Sequence, residues 1–533
     1  MSQQIEVSET QMSADAFAEH CRGLVKRFLQ TAIVVDDEAL MSADDIARVR
    51  GVETPTRQPR KPVGDEAAKG GSGSHSLYTK GVIDAFSELG VICGVIGPTE
   101  TAMDAIRQAD IVVLDWRLKD DDSEYALKLL KDIVTGEIDR NALRLVAFYT
   151  GEADLVAIRE AIEGELRRVG FNPQVSGAAT VVYRHGRVVL YAKPSVNVPT
   201  ALRDRRVEEE ELPNRLVDDF SEMTTGLLPS IALTSLTAVR ECAHMVLDRF
   251  CSRLDPAFLA HRTCLPNPDD AERQMVNHVA EELRGLMDYA VADQSPAGER
   301  AVAGWIRKRA GDPPENFRFG QKSLTNDQAL ALAKAGLSNQ NVLGKNEFEC
   351  LSTGFGGGGQ ELDEELAWII TSRTVFNAPP PTLCLGTVVG RRGEADDKCQ
   401  AAQLVCVRPR CDSVRLSKKT SFAFLPLGEP RRGQEQLIVK ADGSYRRRGI
   451  GLDASGWEIR EFEPDSVRYS VVAQKDDSNQ AFVFVDADGN EYEWLGELKA
   501  EFAQRIAQVF ADTLSRVAVD QSEWLRRSAQ KGA

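Results

Sequence analysis

The sequence contains little cysteine, no long apolar run and no excess of positive charge. Its ten cysteines among 533 residues show none of the paired spacings of a disulfide framework, which indicates a reducing compartment. No apolar segment approaches the roughly 20 residues that a membrane-spanning helix needs. The polar start, MSQQIEVSET, lacks the basic segment and apolar core of a secretory signal. These absences predict a cytoplasmic protein with no membrane partner.

The net charge is -16 at pH 7. A surface that binds nucleic acid throughout needs an excess of Lys and Arg to contact the phosphates, so this charge argues against nucleic acid as a partner of the whole surface. With 42% hydrophobic and 27% charged residues, the composition is typical of a folded globular protein. A chain of 533 residues exceeds what one hydrophobic core supports, so we predict about three domains.

Four aliphatic runs in the first 200 residues each end in a polar residue. A buried charge without a partner costs several kcal/mol, so the exposed end of a strand is where a carboxylate can stay ionised. Helical spacing of apolar residues between the runs predicts an α/β fold with a mainly parallel, doubly wound sheet. Ligands bind such sheets outside the carboxyl ends of the strands. The polar residues at those ends are, in chain order, Asp36 and Asp37, Asp115, Thr150, and Lys193.

The ordered set of motifs resembles the receiver domain of two-component response regulators. The match comprises VVDDE in the first strand, VVLDWRL in the third, Thr150-Gly151 after the fourth and Lys193-Pro194 after the fifth. It covers about the first 200 residues. The resemblance implies a flavodoxin-like receiver, a role in phosphorelay signal transduction, and a histidine kinase or phosphotransfer protein as partner.

The resemblance also implies that Asp115 is the phosphoacceptor. A carboxylate that attacks phosphorus meets an anionic donor, so a hard cation such as Mg²⁺, which takes oxygen ligands, must neutralise the approach. Asp37 and Asp115 would bind Mg²⁺ directly and Asp36 through water, with the main-chain carbonyl of Arg117 as a further ligand. The phosphoprotein would therefore be magnesium-dependent.

Thr150 can hydrogen-bond one phosphoryl oxygen, and Lys193 can pair with another as a compact charge. The sequence departs from the receiver pattern at two places. Lys119 stands where receivers commonly have proline, and Leu190 stands at the usual aromatic position, with Tyr191 one place later.

Two segments lengthen the receiver-like domain, which we predict to span residues 1–205. A Gly-, Pro- and Ser-rich segment predicts a loop insertion near residues 41–75. The later segment ATVVYRHGRVVLYAKPS predicts an added hairpin strand beside the fifth strand, with His185 in its turn.

Beyond this domain the pattern changes. Apolar stripes predict a mainly helical middle region at 206–375. Short strands with turn signals predict a β-rich α+β C-terminal region at 376–533, closed by an amphipathic helix. The glycine-rich stretch at 354–359 lacks the Lys and Ser/Thr of a phosphate-binding loop, so it predicts a hinge before an acidic helix.

Positive charge is concentrated in residues 407–448, which contain eleven Lys and Arg against four acidic residues. This segregation predicts a surface for an acidic partner. Docking on the acidic receiver of the same chain, or on a protein output partner, is favoured over nucleic acid.

No nucleophile elbow, metalloprotease helix or complete nucleotide fingerprint is present, so we do not predict an enzyme. The main hypothesis is a phosphorylation-controlled, multidomain response regulator that regulates an output region. The alternative is a nucleic-acid-binding effector with a degenerate receiver used as a scaffold. A metal-dependent phosphohydrolase with the same acidic cluster is a third hypothesis, which the threonine and lysine disfavour.

Overall fold

The computed structural model divides the chain into two compact units, which are described separately below. The first comprises Met1–Phe317 with Leu324–Val342, and the second comprises Arg318–Ser323 with Leu343–Ala533. The three-region division predicted from sequence stays a prediction. Among the described helices, none combines the length and apolar character needed to cross a lipid bilayer. The residues described are 12–37, 77–99, 101–118, 123–138, 143–184, 186–312, 314–337, 343, 350–374, 380–392, 403–441, 443–451, 456–476 and 481–515.

The first unit contains a seven-stranded, largely parallel sheet. Its strands lie in the order β2-β1-β3-β4-β7-β6-β5, and the first five of these are mutually parallel. Strand β6 runs antiparallel to β7, which confirms the predicted hairpin strand, although His185 in its turn lies outside the described residues. The predicted insertion near 41–75 lies outside them as well. The strands are β1 (Thr31–Val35), β2 (Ile92–Ile96), β3 (Ile111–Leu114), β4 (Arg144–Thr150), β5 (Gln174–Val175), β6 (Thr180–Tyr183) and β7 (Gly186–Ala192).

The helices of this unit begin where the sequence supplies caps. The side chain of Ser13 accepts a hydrogen bond from the main chain at the start of α1, Asp154 does so for α5, and Thr325 forms a capping box at α11. The helices are α1 (Ala14–Phe28), α2 (Thr79–Glu88), α3 (Ala102–Gln108), α4 (Ser123–Ile138), α5 (Leu155–Arg168), α6 (Leu212–Thr224), α7 (Leu227–Arg249), α8 (Asp255–Cys264), α9 (Asp270–Gln294), α10 (Glu299–Ala310) and α11 (Asn326–Ala335).

Successive residues of the central strands enter two different cores, because side chains alternate across a sheet. Val35 and Leu114 pack in the core that contains residues of α3, α4 and α5. Val34 and Val113 pack in the core that contains residues of α1, α2 and α6. A parallel strand buried on both faces reads as a continuous apolar run, which is the pattern seen before Asp36 and Asp115.

One carboxylate fastens the amino-terminal end of the sheet to helix α7. Asp110 accepts hydrogen bonds from the main-chain N–H groups of Gln30 at 2.9 Å and Thr31 at 3.1 Å. Arg240 donates two further hydrogen bonds to Asp110, from Nη1 to Oδ1 at 2.9 Å and from Nη2 to Oδ2 at 2.8 Å. The same guanidinium lies over the ring of Phe28, 5.0 Å from its centroid. Helix α7 is thereby fixed to the start of β1 and β3.

The second unit is a ten-stranded antiparallel sheet with helices, as the predicted β-rich region requires. Its strands are β10 (Ser372–Arg373), β11 (Thr387–Arg391), β12 (Gln403–Cys406), β13 (Thr420–Gly428), β14 (Gln436–Ala441), β15 (Ser444–Ile450), β16 (Glu458–Phe462), β17 (Gln474–Lys475), β18 (Phe482–Val485) and β19 (Glu491–Leu498). Its helices are α12 (Leu351–Gly354), α13 (Gln360–Thr371) and α14 (Ala500–Ser515), and a separate pair of strands comprises β8 (Phe317–Phe319) and β9 (Lys322–Leu324).

The glycine-rich stretch meets local steric needs before helix α13. Gly356 and Gly359 have φ angles of +84° and +88°, which residues other than glycine rarely adopt. A Cβ on Gly354 would collide with the ring of Phe319. The predicted acidic helix follows at once, with Glu361 in its first turn, and a hinge motion stays a prediction.

The positive charge at 407–448 is spread over different surfaces of its sheet. Arg446 and Arg447 are consecutive in β15 and therefore point to opposite faces. Arg448 is buried and pairs with Glu429 at 3.0 Å. Within the described part of this segment, the strand geometry therefore divides the positive charge between two faces.

Candidate functional site

Two buried carboxylates lie side by side at the carboxyl end of the parallel sheet. Strands β1 and β3 are neighbours with Val35 opposite Leu114, so the residues that follow, Asp36 and Asp115, emerge together. The main-chain N–H of Asp115 donates to the carbonyl of Val35 at 2.9 Å, which fixes this register. Asp36 is 3% exposed and Asp115 is 7% exposed, whereas Asp37 lies at the surface.

Lys193 bridges the two carboxylates. Its Nζ donates to Asp36 Oδ2 at 2.9 Å and to Asp115 Oδ2 at 2.6 Å, and its side chain is almost completely buried. The main chain holds it in place, since its N–H donates to the carbonyl of Thr150 at 2.8 Å. Residues far apart in sequence therefore meet because their strands end at one edge.

The electrostatics of the cluster follow from burial and charge. Burial raises the pKa of Asp115 to about 7, although Lys193 opposes the rise and Asp36 adds to it. Burial by itself lowers the pKa of Lys193, but the two carboxylates outweigh it and hold that pKa above its ordinary value. Lys193 therefore stays protonated at neutral pH. One lysine faces two acids, which leaves the site able to attract a further cation.

Thr150 and Arg117 complete the edge of the site. Thr150 is fully buried, and its Oγ1 accepts a hydrogen bond from the main-chain N–H of Glu152 at 3.1 Å. The main-chain N–H of Arg117 donates to Asp115 Oδ1 at 3.4 Å. The Arg117 side chain pairs with Glu152 at 2.9 Å and so joins the loops that follow β3 and β4.

Comparison with protein families agrees with this geometry, since the model of the response receiver domain matches residues 28–197. Residues 28–197 match this family and are called here the receiver domain. No curated protein and no solved structure matches the chain.

The receiver domain offers carboxylate oxygens, which are the ligands that Mg²⁺ prefers. Within the described residues, no group of three or more His, Cys, Asp or Glu side chains is placed to hold a metal ion. Mg²⁺ is commonly held by only one or two carboxylates with several waters. Asp115 and the exposed Asp37 supply such carboxylates, and the main chain of Arg117 contacts Asp115. The residues therefore fit the ion. Lys193 contacts carboxylate oxygens of Asp36 and Asp115 and would compete with the ion for them.

Two tyrosines of the receiver domain have contacts that sequence reasoning missed. Tyr149 and Tyr191 are paired across β4 and β7, one residue before Thr150 and two residues before Lys193. The hydroxyl of Tyr149 donates to the carbonyl of Val207 at 2.9 Å, and that of Tyr191 donates to Asp219 Oδ2 at 2.5 Å. Asp219 lies in α6, so both strands are fastened to the segment that follows the receiver. Strand alternation was the available signal, because it turns Tyr191 away from the face of Leu190.

The competition between lysine and metal leads to a prediction. We expect Lys193→Met to bind Mg²⁺ roughly tenfold more tightly than the native chain, because it removes the buried cation and keeps a stem of similar length. Asp37→Ala should instead weaken binding, because it removes an oxygen ligand and a negative charge. Fluorescence of Trp116, which packs edge-on against Phe148 beside Asp115, measures the titration.

The controls for this titration use the same residues. Trp116→Phe should remove the fluorescence change while calorimetry still detects the ion. A similar large loss of Mg²⁺ affinity in Lys193→Met and Asp37→Ala would contradict the separate roles given to these two positions.

Proposed function

We propose that the chain is a response regulator of a two-component phosphorelay, phosphorylated on Asp115. The observation that carries the proposal is the contact of Lys193 with both Asp36 and Asp115, at 2.9 and 2.6 Å. A buried lysine on two acids costs desolvation that a purely structural site would avoid. In a site that exchanges phosphoryl groups, the charges of Lys193, Asp36 and Asp115 would each have a role.

In the proposed reaction, an ionised oxygen of Asp115 attacks the phosphorus of the donor, and the bond from phosphorus to the donor's leaving atom breaks. Lys193 then pairs with a phosphoryl oxygen, and the Thr150 hydroxyl turns from Glu152 to bond another. Asp37, Asp115 and the carbonyl of Arg117 would hold Mg²⁺, with Asp36 reaching it through water. When bound, the ion neutralises charge on the donor and the acceptor.

We infer that the receiver has the doubly wound, flavodoxin-like form. Its parallel strands occur in the order β2-β1-β3-β4-β7, which corresponds to the order 2-1-3-4-5 of that fold. The carboxyl ends of β1 and β3 flank the point where this order reverses. Ligands bind at such a point, which supports the assignment of Asp36 and Asp115.

The proposed donor is a histidine kinase or a phosphotransfer protein in the cytoplasm. The regulated part is the chain beyond the receiver, which we propose acts by binding a protein rather than by catalysis. The division of Arg446 and Arg447 between two sheet faces disfavours a continuous track for nucleic acid.

The experiment that tests the proposal is incubation of the full chain with acetyl phosphate and Mg²⁺, followed by measurement of the intact mass. We expect the gain of one phosphoryl group that survives acid and is removed by base, as acyl phosphates are. Chelation of the metal with EDTA should prevent the gain. An unchanged mass with acetyl phosphate, and also with phosphoramidate as donor, would overturn the proposal.

A further inference from the structure

Asp219, a buried carboxylate of helix α6, has fewer partners than a buried charge needs. Its Oδ2 accepts a hydrogen bond from the Tyr191 hydroxyl at 2.5 Å, and within the described residues this is the one hydrogen bond that the carboxylate accepts. An ionised carboxylate can accept about four. Burial raises the pKa of Asp219, and the hydrogen bond from Tyr191 and the charge of Arg187 oppose the rise only in part. The observed contact of Asp219 is therefore a costly one.

Arg187 lies beside this carboxylate and is also incompletely paired. It stands four residues before Tyr191 in β7, so both side chains point to the same face of the sheet. Arg187 Nη2 pairs with Glu222 at 2.5 Å and lies 3.6 Å from Asp219 Oδ1, just beyond hydrogen-bonding distance. Its Nε is buried and has no acceptor among the residues that the structure describes. Buried polar groups are nearly always hydrogen-bonded, so an orphaned donor next to this carboxylate requires an explanation.

Two arrangements of the Asp219 carboxylate are available. In the observed one, it accepts from Tyr191 and stays apart from Arg187. In the other, it moves about 1 Å toward Arg187, pairs with the guanidinium through two parallel hydrogen bonds and leaves the tyrosine. A discrete pair of alternatives is what a switch between two states requires.

Strand β7 connects this cluster with the proposed phosphorylation site. Tyr191 stands two residues before Lys193, and Ala192 between them lies opposite Thr150 of β4. Lys193 and Thr150 are the two groups that turn to the phosphoryl oxygens in the proposed reaction. Their movement therefore acts on the strand end that carries Tyr191.

Helix α6 connects the cluster with a helix outside the receiver domain. Asp218, the neighbour of Asp219, pairs with Arg22 of α1 at 2.5 Å, and Asn214 accepts a further hydrogen bond from Arg22 at 3.3 Å. Helix α1 ends at Phe28 and leads directly into β1. A shift of α6 would therefore act on α1 as well.

We propose that Asp219 changes its partner from Tyr191 to Arg187 when Asp115 is phosphorylated, and that this change of partner moves helix α6. The inference rests on the proposed function and adds the route by which the phosphoryl group acts beyond residues 28–197. In the resting chain, the hydrogen bond between Tyr191 and Asp219 holds α6 in the observed position.

Binding of beryllofluoride with Mg²⁺, which mimics a phosphoryl group, tests the change of partner in the full chain. Tyr191→Phe should bind beryllofluoride about threefold to tenfold more tightly, because it removes the hydrogen bond that favours the resting arrangement. Arg187→Lys should bind it more weakly, because lysine lacks the planar fork that pairs with the carboxylate in the other arrangement. Trp116 fluorescence measures each titration. Tyr183→Phe is the matched control, since Tyr183 lies in the core on the other face of the sheet, and it should bind like the native chain.

Hydrogen exchange of helix α6 separates the two ways in which the inference can fail. In the native chain, beryllofluoride should change the exchange of residues 212–224, and Tyr191→Phe should show much of that change without the ligand. The change of partner would be refuted by a native chain that binds beryllofluoride with no altered exchange in residues 212–224. It would also be refuted if Tyr191→Phe bound no more tightly than Tyr183→Phe, or if Arg187→Lys bound as tightly as the native chain. These three results leave the proposed phosphorylation intact, whereas a native chain that does not bind beryllofluoride would overturn both proposals.

Discussion

Asp115→Asn is expected to abolish phosphorylation by acetyl phosphate. The amide keeps the size and shape of the carboxylate but has no anionic oxygen to attack phosphorus. Asp36, the neighbouring acid, is held by Lys193 in an equally buried position and is no substitute, because its strand ends one place to the side. Intact-mass measurement should therefore detect no phosphoryl gain in the variant under conditions that modify the native chain fully.

The control for this variant is Asp104→Asn, because Asp104 is an exposed acid of α3 that pairs with Arg107 at 3.2 Å. It should be phosphorylated like the native chain. Asp115→Asn should melt at no lower temperature than the native chain, because it removes one of two adjacent buried negative charges. Persistent modification of folded Asp115→Asn would show that another residue is the acceptor.

The receiver could be predicted from its sequence because each signal was local. Strands β1 and β3 are buried on both faces, so each appears as an uninterrupted aliphatic run that ends in a charged residue. The order of the motifs then placed Asp36, Asp115 and Lys193 at one edge, and the structure brings these three into contact. Thr150 adjoins them through the main chain, while Asp37 lies at the exposed end of the strand.

The contacts that fasten the receiver to the following helices could not be predicted in this way. Tyr191 meets Asp219 across 28 residues of sequence, and Asp110 meets Arg240 across 130. Neither pair has a spacing that periodicity detects. In the sequence, Asp110 is an ordinary polar residue before a strand, and Arg240 is a basic residue within a helix. Their roles depend on the packing of α7 against the start of the sheet.

Asp110→Ala is expected to destabilise the first unit by about 3 kcal/mol or more, because it removes the carboxylate that accepts from the main-chain N–H groups of Gln30 and Thr31 and leaves a partly buried guanidinium without that carboxylate. The lost contacts lie at the amino-terminal ends of β1 and β3, whereas Asp115 follows the carboxyl end of β3. Urea unfolding followed by Trp116 fluorescence, which reports on the core of this unit, measures the change.

Asp104→Ala supplies a matched control, since the same substitution there removes an exposed ion pair and should cost less than about 0.5 kcal/mol. The double variant Asp110→Ala/Arg240→Met should be more stable than Asp110→Ala alone, because the guanidinium no longer lacks a partner. Equal effects of Asp110→Ala and Asp104→Ala would mean that the bond between Asp110 and Arg240 does not hold α7 on the sheet. A double variant that loses the sum of the two single effects would lead to the same conclusion, because independent sites add.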